Sequence, residues 1–250
     1  MTVKNFKLVR LLKYSAYLFG AAFSFIILYA AYSFFFLPDI SVLKTKINYP
    51  TAVMSDRLDQ LYETKKNAKL QYTFVPLQKI SDNIKLAVIV SEDASFFDHD
   101  GVDWDEFEAS LEKNLSKGKL SRGGSTISMQ VSKNLFLSLS KNPLRKIREF
   151  FITAELEKQL SKKRILEIYL NIAEWGPNGI FGIEAASQYH FKKPASALTR
   201  EEAARLAAIL PNPIRFSPHS SSKWFNRKTR NILYLMKFYE SRYGNYLDKM

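Results

Sequence analysis

Between Val90 and Gly101 the chain reads Val-Ser-Glu-Asp-Ala-Ser-Phe-Phe-Asp-His-Asp-Gly. Glu92, Asp93, Asp98, His99 and Asp100 crowd into this segment, directly behind the largely apolar run Ile84–Val90. A carboxylate at the edge of an apolar segment is partly desolvated, which raises its pKa towards that of a useful general base. Ordinary solvated acids in a polar turn after a helix would have the same composition, so position alone leaves both readings open. A second group of residues is cationic. The stretch Lys117–Arg122 runs through Gly123-Gly124 into Ser125-Thr126. A basic, glycine-containing loop at a helix amino terminus suits an anion, because free N–H groups and the helix dipole point at it. On the helix expected next, Thr126, Gln130 and Lys133 fall within about 60° of one another, away from an Ile127/Val131/Leu135 stripe. Arg145-Lys146-Ile147-Arg148-Glu149 adds three cations and a carboxylate. Glu149 lies one turn from Arg145 and Lys146, so a surface ion-pair network would also account for it.

The elements that must position these groups are mostly helical. Asp103-x-x-Glu106 is a capping-box-like start, followed by Trp104, Phe107, Leu111 and Leu115 at helical spacing. Lys117-Gly118-Lys119 ends that helix, and another begins near Ser125. Asn142-Pro143 places a cap residue before a proline at the first helical position and opens a helix through Leu160. Ser161 caps the next. Thr199-x-x-Glu202 is a further capping box, before an alanine-rich run that stops at Pro211 and Pro213. The last helix covers about Lys223–Tyr239. Residues 39–80 show no long period and read as a membrane-proximal stalk, with a short strand at Gln71–Val75. The fold class is mainly α.

The chain has 250 residues, is 46% hydrophobic and carries a formal charge of +13. Tyr14–Pro38 contains no charged residue, and as a helix of about 37 Å it would cross a hydrocarbon core of about 30 Å. Lys4, Lys7, Arg10 and Lys13 precede it, with no acid before Asp39. The segment lacks the short apolar region and small-residue end of a cleavable signal. The expected organisation is a cytoplasmic basic tail at 1–13, an anchor at 14–38, the stalk, and an extracytoplasmic domain at 81–250. The charge of +9 left on the external part suits anionic headgroups or a lipid-linked diphosphate. No nucleic-acid partner is expected there. With no cysteine, disulfides, zinc-thiolate sites and thiol nucleophiles are excluded. His99, His190 and His219 lack metal-ligand spacing.

Glu92-Asp93-x-x-Phe96-x-x-His99-x-Gly101 resembles the first signature of the peptidoglycan glycosyltransferases, which polymerise lipid II into glycan strands. Ser125-Thr126-Ile127-x-x-Gln130-x-x-Lys133 resembles their second, except that Met129 stands where the family usually has another glutamine. Arg145-Lys146-x-x-Glu149 is similar to the third, and Lys162-x-x-Ile165-Leu166-Glu167-x-Tyr169-Leu170-Asn171 to the fourth, whose spacing reads mainly as packing. Arg227–Met236 is a weaker likeness to the fifth. The short matches to penicillin-binding motifs (Ser138-x-x-Lys141, Ser220-x-x-Lys223, Ser81-Asp82-Asn83, Lys228-Thr229) are in the wrong order, so the likeness is to the monofunctional type.

The resemblance implies a lysozyme-like, two-lobed helical domain after a single transmembrane helix, with the smaller lobe near the membrane. It implies Glu92 as base, with Glu149 as a second catalytic carboxylate that orients cations or binds metal. Asp93, His99, Ser125, Thr126, Gln130, Lys133, Lys141, Arg145 and Lys146 become candidate substrate-binding residues. A divalent cation, magnesium or manganese, is the one candidate cofactor. Implied partners are lipid II, the growing glycan strand, the inner membrane and other wall-synthesis or division proteins. Two rival readings are a lysozyme-like glycosidase or lytic transglycosylase, and a non-enzymatic anchored scaffold.

The basic flank and uncharged span generate a topological prediction. Protease added to spheroplasts is expected to digest the domain from outside. Protection until the membrane is lysed would rule this orientation out.

Overall fold

The structure is a computed structural model that describes residues 3–65, 67–117, 124–140, 142 and 144–243. Lys141, Pro143 and residues 118–123 of the expected anion-binding loop lie outside the described residues. Helix α1 (Val3–Phe35) holds the span Leu12–Phe35, whose 24 residues have mean hydropathy 1.8 and are long and apolar enough to cross a membrane. It ends before Pro38, which cannot extend a helix.

Two groups of helices carry the site. Helix α3 (Asp82–Glu92) is capped by Ser81 and buries every residue from Ile84 to Val90. A helix apolar on all sides must be surrounded. Here α9 (Arg200–Ile209) and α10 (Lys223–Tyr243) pack against it and against each other. Thr199 and Glu202 form the expected capping box on α9. In the second group, α5 (Ile127–Phe136) packs on α2 (Ala52–Thr64), α6 (Leu144–Gln159) and α7 (Lys162–Ile172). Its Ile127/Val131/Leu135 stripe faces this core. Ser161 caps α7 as the sequence implies, and Asn142 Oδ1 accepts from Leu144 N at the start of α6. The apolar stripe of α4 (Trp104–Lys117) behaves differently. Trp104, Phe107, Leu111 and Leu115 remain exposed, and the ring contacts Trp104–Phe150, Phe150–Phe151 and Phe151–Phe34 lead from α4 across α6 to α1.

Strands β1 (Gln71–Tyr72), β2 (Glu174–Gly176) and β3 (Ile180–Phe181) form a small sheet in the order β1-β3-β2, with β1 parallel to β3. Helix α8 (Ile183–Phe191) follows β3. The strand expected at Gln71–Val75 stops at Tyr72 for a clear reason. Val75 N–H donates to Asn171 Oδ1 at 2.8 Å and Val75 C=O accepts from Asn171 Nδ2 at 2.9 Å, so neither group is free for a ladder. Leu77 N–H donates to Glu167 at 2.7 Å. Through these contacts the expected stalk is drawn into the domain. Ile40, Leu43, Val53, Met54, Val75, Leu77 and Ile80 are buried in the same core as α3 and α7. The segment shows no long period because its described residues hold α2, β1 and two short 3-10 turns rather than one long helix.

Asn171→Leu is expected to destabilise the protein by about 1–3 kcal/mol for each Val75 backbone group left without a partner. Denaturant unfolding of the detergent-solubilised chain measures this, and a change near zero would mean that the clamp contributes nothing.

Candidate active site

Glu92 is the last residue of α3, so its carboxylate emerges where the buried helix meets a cleft of about 770 Å³. Ser125, Gln130, Asp103, Glu106 and Lys228 also line that cleft. Gln130 Nε2 donates to Glu92 Oε2 at 3.1 Å. Glu92 is part-buried where it lines the cleft. Burial therefore raises its pKa above the ordinary carboxylate range, against the opposing pull of the Gln130 hydrogen bond and the charges of Lys228 and Lys133.

The other residues of the first motif act on the backbone. Asp93 is almost fully buried, and both its oxygens are engaged: Oδ1 with His99 Nε2 at 3.0 Å, Oδ2 with the N–H of Ile127 at 2.8 Å. His99 Nδ1 accepts from Gly101 N–H at 3.1 Å, which assigns the ring proton to Nε2 and makes it the donor to Asp93. Lys162 Nζ holds the same loop, donating to His99 C=O at 2.6 Å and to Glu157 at 2.7 Å while lying 4.8 Å from the centre of the Phe96 ring. His99 lines a neighbouring cavity of about 670 Å³ rather than the cleft. Thr126 is the N-cap of α5. Its hydroxyl accepts from Met129 N–H and donates to Gly101 C=O at 2.6 Å. Asp93 and Thr126, expected to bind substrate, line the cleft while their polar groups hold the scaffold, and His99 holds the scaffold away from the cleft. Met129 is buried and does not line the cleft.

The cations gather beside α5. Arg145 Nη1 donates to Glu149 Oε2 at 2.9 Å, and Lys146 Nζ donates to Glu149 Oε1 and, at 3.0 Å, to Ser125 Oγ. Glu149 is 2% exposed. Each of its oxygens already faces a cation, and a divalent ion would have to displace both. Among the described residues no group of three or more His, Asp or Glu could hold a metal. The donor set does not fit a metal at Glu149, which instead holds Arg145 and Lys146 in place. Lys133 is mostly enclosed. Burial lowers its pKa, the charges of Arg145 and Lys146 lower it further, and Glu149 and Glu92 oppose them.

Lys228 was not among the expected site residues. It reaches the cleft from α10, where burial lowers its pKa and Glu92 partly restores it. A weak signal was present, because Phe225, Thr229, Ile232 and Met236 form the buried stripe of α10 and the part-buried Lys228 flanks it.

A carboxylate whose pKa burial raises thus stands in a cleft that Lys228 also lines, with the charge of Lys133 acting on it, in a mainly helical domain; that pairing suits a base working beside an anion. The transglycosylase family profile matches residues 58–237, and the chain belongs to this family, with its lysozyme-like helical fold. The match begins inside α2, ahead of the expected boundary at residue 81. Among its relatives is the biosynthetic peptidoglycan transglycosylase of Chromobacterium violaceum, 51% identical over 190 residues, which are 76% of this chain and 83% of that protein. The proteins of the same description from Nitrosospira multiformis and Laribacter hongkongensis are 49% and 45% identical, covering 73% and 75% of this chain and 79% and 82% of theirs.

Lys133 provides a test of the electrostatics. Its depressed folded pKa means that the ammonium opposes folding fully below that pKa, and the penalty is removed as pH rises through the window up to the unfolded value. Lys133→Met is therefore expected to raise the thermal midpoint at pH 7, with the gain shrinking at alkaline pH. A lower midpoint at pH 7 would show that the ion pairs outweigh desolvation.

Proposed function

We propose that this protein polymerises lipid II into β-1,4-linked glycan strands for the bacterial cell wall, releasing undecaprenyl diphosphate. The observation that carries the reading is Glu92, desolvated at the cleft and held by Gln130, with Lys133 and Lys228 acting on it from two helices. Family membership and the relatives' names support the same class of reaction.

The chemistry follows from what each partner needs. The sugar hydroxyl of the acceptor lipid II gives its proton to Glu92 as its oxygen bonds to the anomeric carbon of the growing strand. The bond from that carbon to the diphosphate breaks, its electron pair stays on the phosphate oxygen, and attack from the opposite face inverts the centre to β. A diphosphate needs no proton to leave if its charge is stabilised. Lys133, Arg145 and Lys146 supply that stabilisation, with Ser125 beside Lys146 and Glu149 holding the cations. Lys141 belongs to the same set by sequence. A glycosidase must instead protonate a sugar leaving group, for which this concentration of cations is no help.

The anchor reading places the amino terminus in the cytoplasm and the domain outside the inner membrane. The exposed Trp104, Leu111 and Leu115, joined to α1 through aromatic rings, support an active domain lying against the bilayer where lipid-linked substrate resides.

Glu92→Gln is expected to lower polymerisation of labelled lipid II by the purified chain about 10²–10⁴-fold. Because the raised pKa makes ionised Glu92 a cost to folding at neutral pH, the variant should melt at or above the wild-type temperature. Near wild-type product formation would remove Glu92 as the base.

A further inference from the structure

Tyr169 lies in α7 and is buried, and its hydroxyl donates to Gln130 Oε1 at 3.3 Å. The other end of the same amide donates to Glu92. We infer that Tyr169 is a positioning residue for the reaction, setting the orientation of the Gln130 amide so that its NH₂, not its carbonyl, faces the Glu92 carboxylate.

Donors and acceptors fix the orientation of the amide. A buried phenol needs an acceptor for its proton, and Gln130 Oε1 is the one within reach. If the amide turned over, its NH₂ would face the phenol and leave the phenolic hydrogen unpaired. Its carbonyl would then face an ionised carboxylate, which is repulsive. The present orientation satisfies all three groups and favours the charged form of Glu92. Burial, with the nearby Glu92 and Asp93 charges, holds the Tyr169 pKa well above its usual value, so the phenol stays a donor. The other groups around Glu92 are Lys133 from α5 and Lys228 from α10, with Asp103 and Glu106 across the cleft. Ser91 also acts on Glu92, favouring its charged form. The fourth signature, read from spacing as packing, thereby acquires a link to the chemistry.

The inference rests on Glu92 as the base only for its effect on rate, because the carboxyl itself can be followed. In the full-length protein, the Glu92 carboxyl is titrated by ¹³C-edited infrared spectroscopy, with Glu92→Gln identifying its band. Tyr169→Phe keeps the ring packing, and the Glu92 titration is expected to move up by about half a unit to one unit, the size of one neutral hydrogen bond. The acid limb of kcat/KM for lipid II should move with it. Gln130→Met should produce a similar or larger rise, and adding Tyr169→Phe to it should produce no further rise. An unmoved carboxyl titration in Tyr169→Phe, or the same increment in both backgrounds, would overturn the inference. If Tyr169→Phe does not fold, Gln130→Met decides: an unmoved titration there overturns the inference as well. Full activity of Glu92→Gln would remove the base assignment alone, leaving the carboxyl titration to judge the Tyr169 link.

Discussion

The Asp93 carboxylate is the joint on which the site is assembled. One oxygen takes the Nε2–H of His99 and the other takes the N–H of Ile127 in the first turn of α5. A carboxylate at that position also meets the positive end of the helix dipole. Thr126 caps the same turn and reaches Gly101, whose N–H returns to His99, so the loop after α3 and the start of α5 are closed into one unit. Gly101 has φ +95°, and a Cβ there would stand 2.9 Å from Thr153 Cγ2. Only glycine lets the loop pass so close to α6. The distance from Glu92 to Gln130 follows from this closure, since each lies within one turn of it.

Around that joint the charges are arranged in opposition. Burial drives Glu92 towards its neutral form and does the same to Lys133 and Lys228, while each sign partly restores the other. Such groups are poorly solvated, so an anion placed among them would compete with little water. The fold bears the cost of holding desolvated charge, as catalytic sites commonly require. Glu149 limits that cost by neutralising Arg145 and Lys146 from a buried position.

Helix α6 connects this cluster to the membrane segment. One face carries Arg145, Lys146 and Glu149. Arg148 donates to the Phe36 carbonyl at 3.1 Å and lies 5.5 Å from the Tyr32 ring centre, and Phe151 packs edge-on against Phe34 at 5.7 Å. A single helix therefore fixes the position of the cations relative to the end of α1.

Much of this was legible in the chain because it is local. Ser161 and Thr199 cap helices by reaching three residues ahead, and Glu202 completes the box on α9. The apolar span, the Glu92 motif and the Arg145–Glu149 cluster are likewise properties of spacing. What the chain could not state by itself is which groups meet across it. Asp93 reads as a solvated acid until Ile127, 34 positions away, is brought to it. The 39–80 segment reads as a stalk until Asn171 takes both polar groups of Val75. Lys228 and Tyr169 become part of the site only because α10 packs on α3 and α7 packs on α5. Helix formation and capping depend on neighbours along the backbone, so the sequence alone determined the elements and the chemical types available. Desolvation, Coulomb attraction and hydrogen-bond closure act through space, so only the tertiary structure decided which carboxylate became basic, which bound the scaffold and which held the cations.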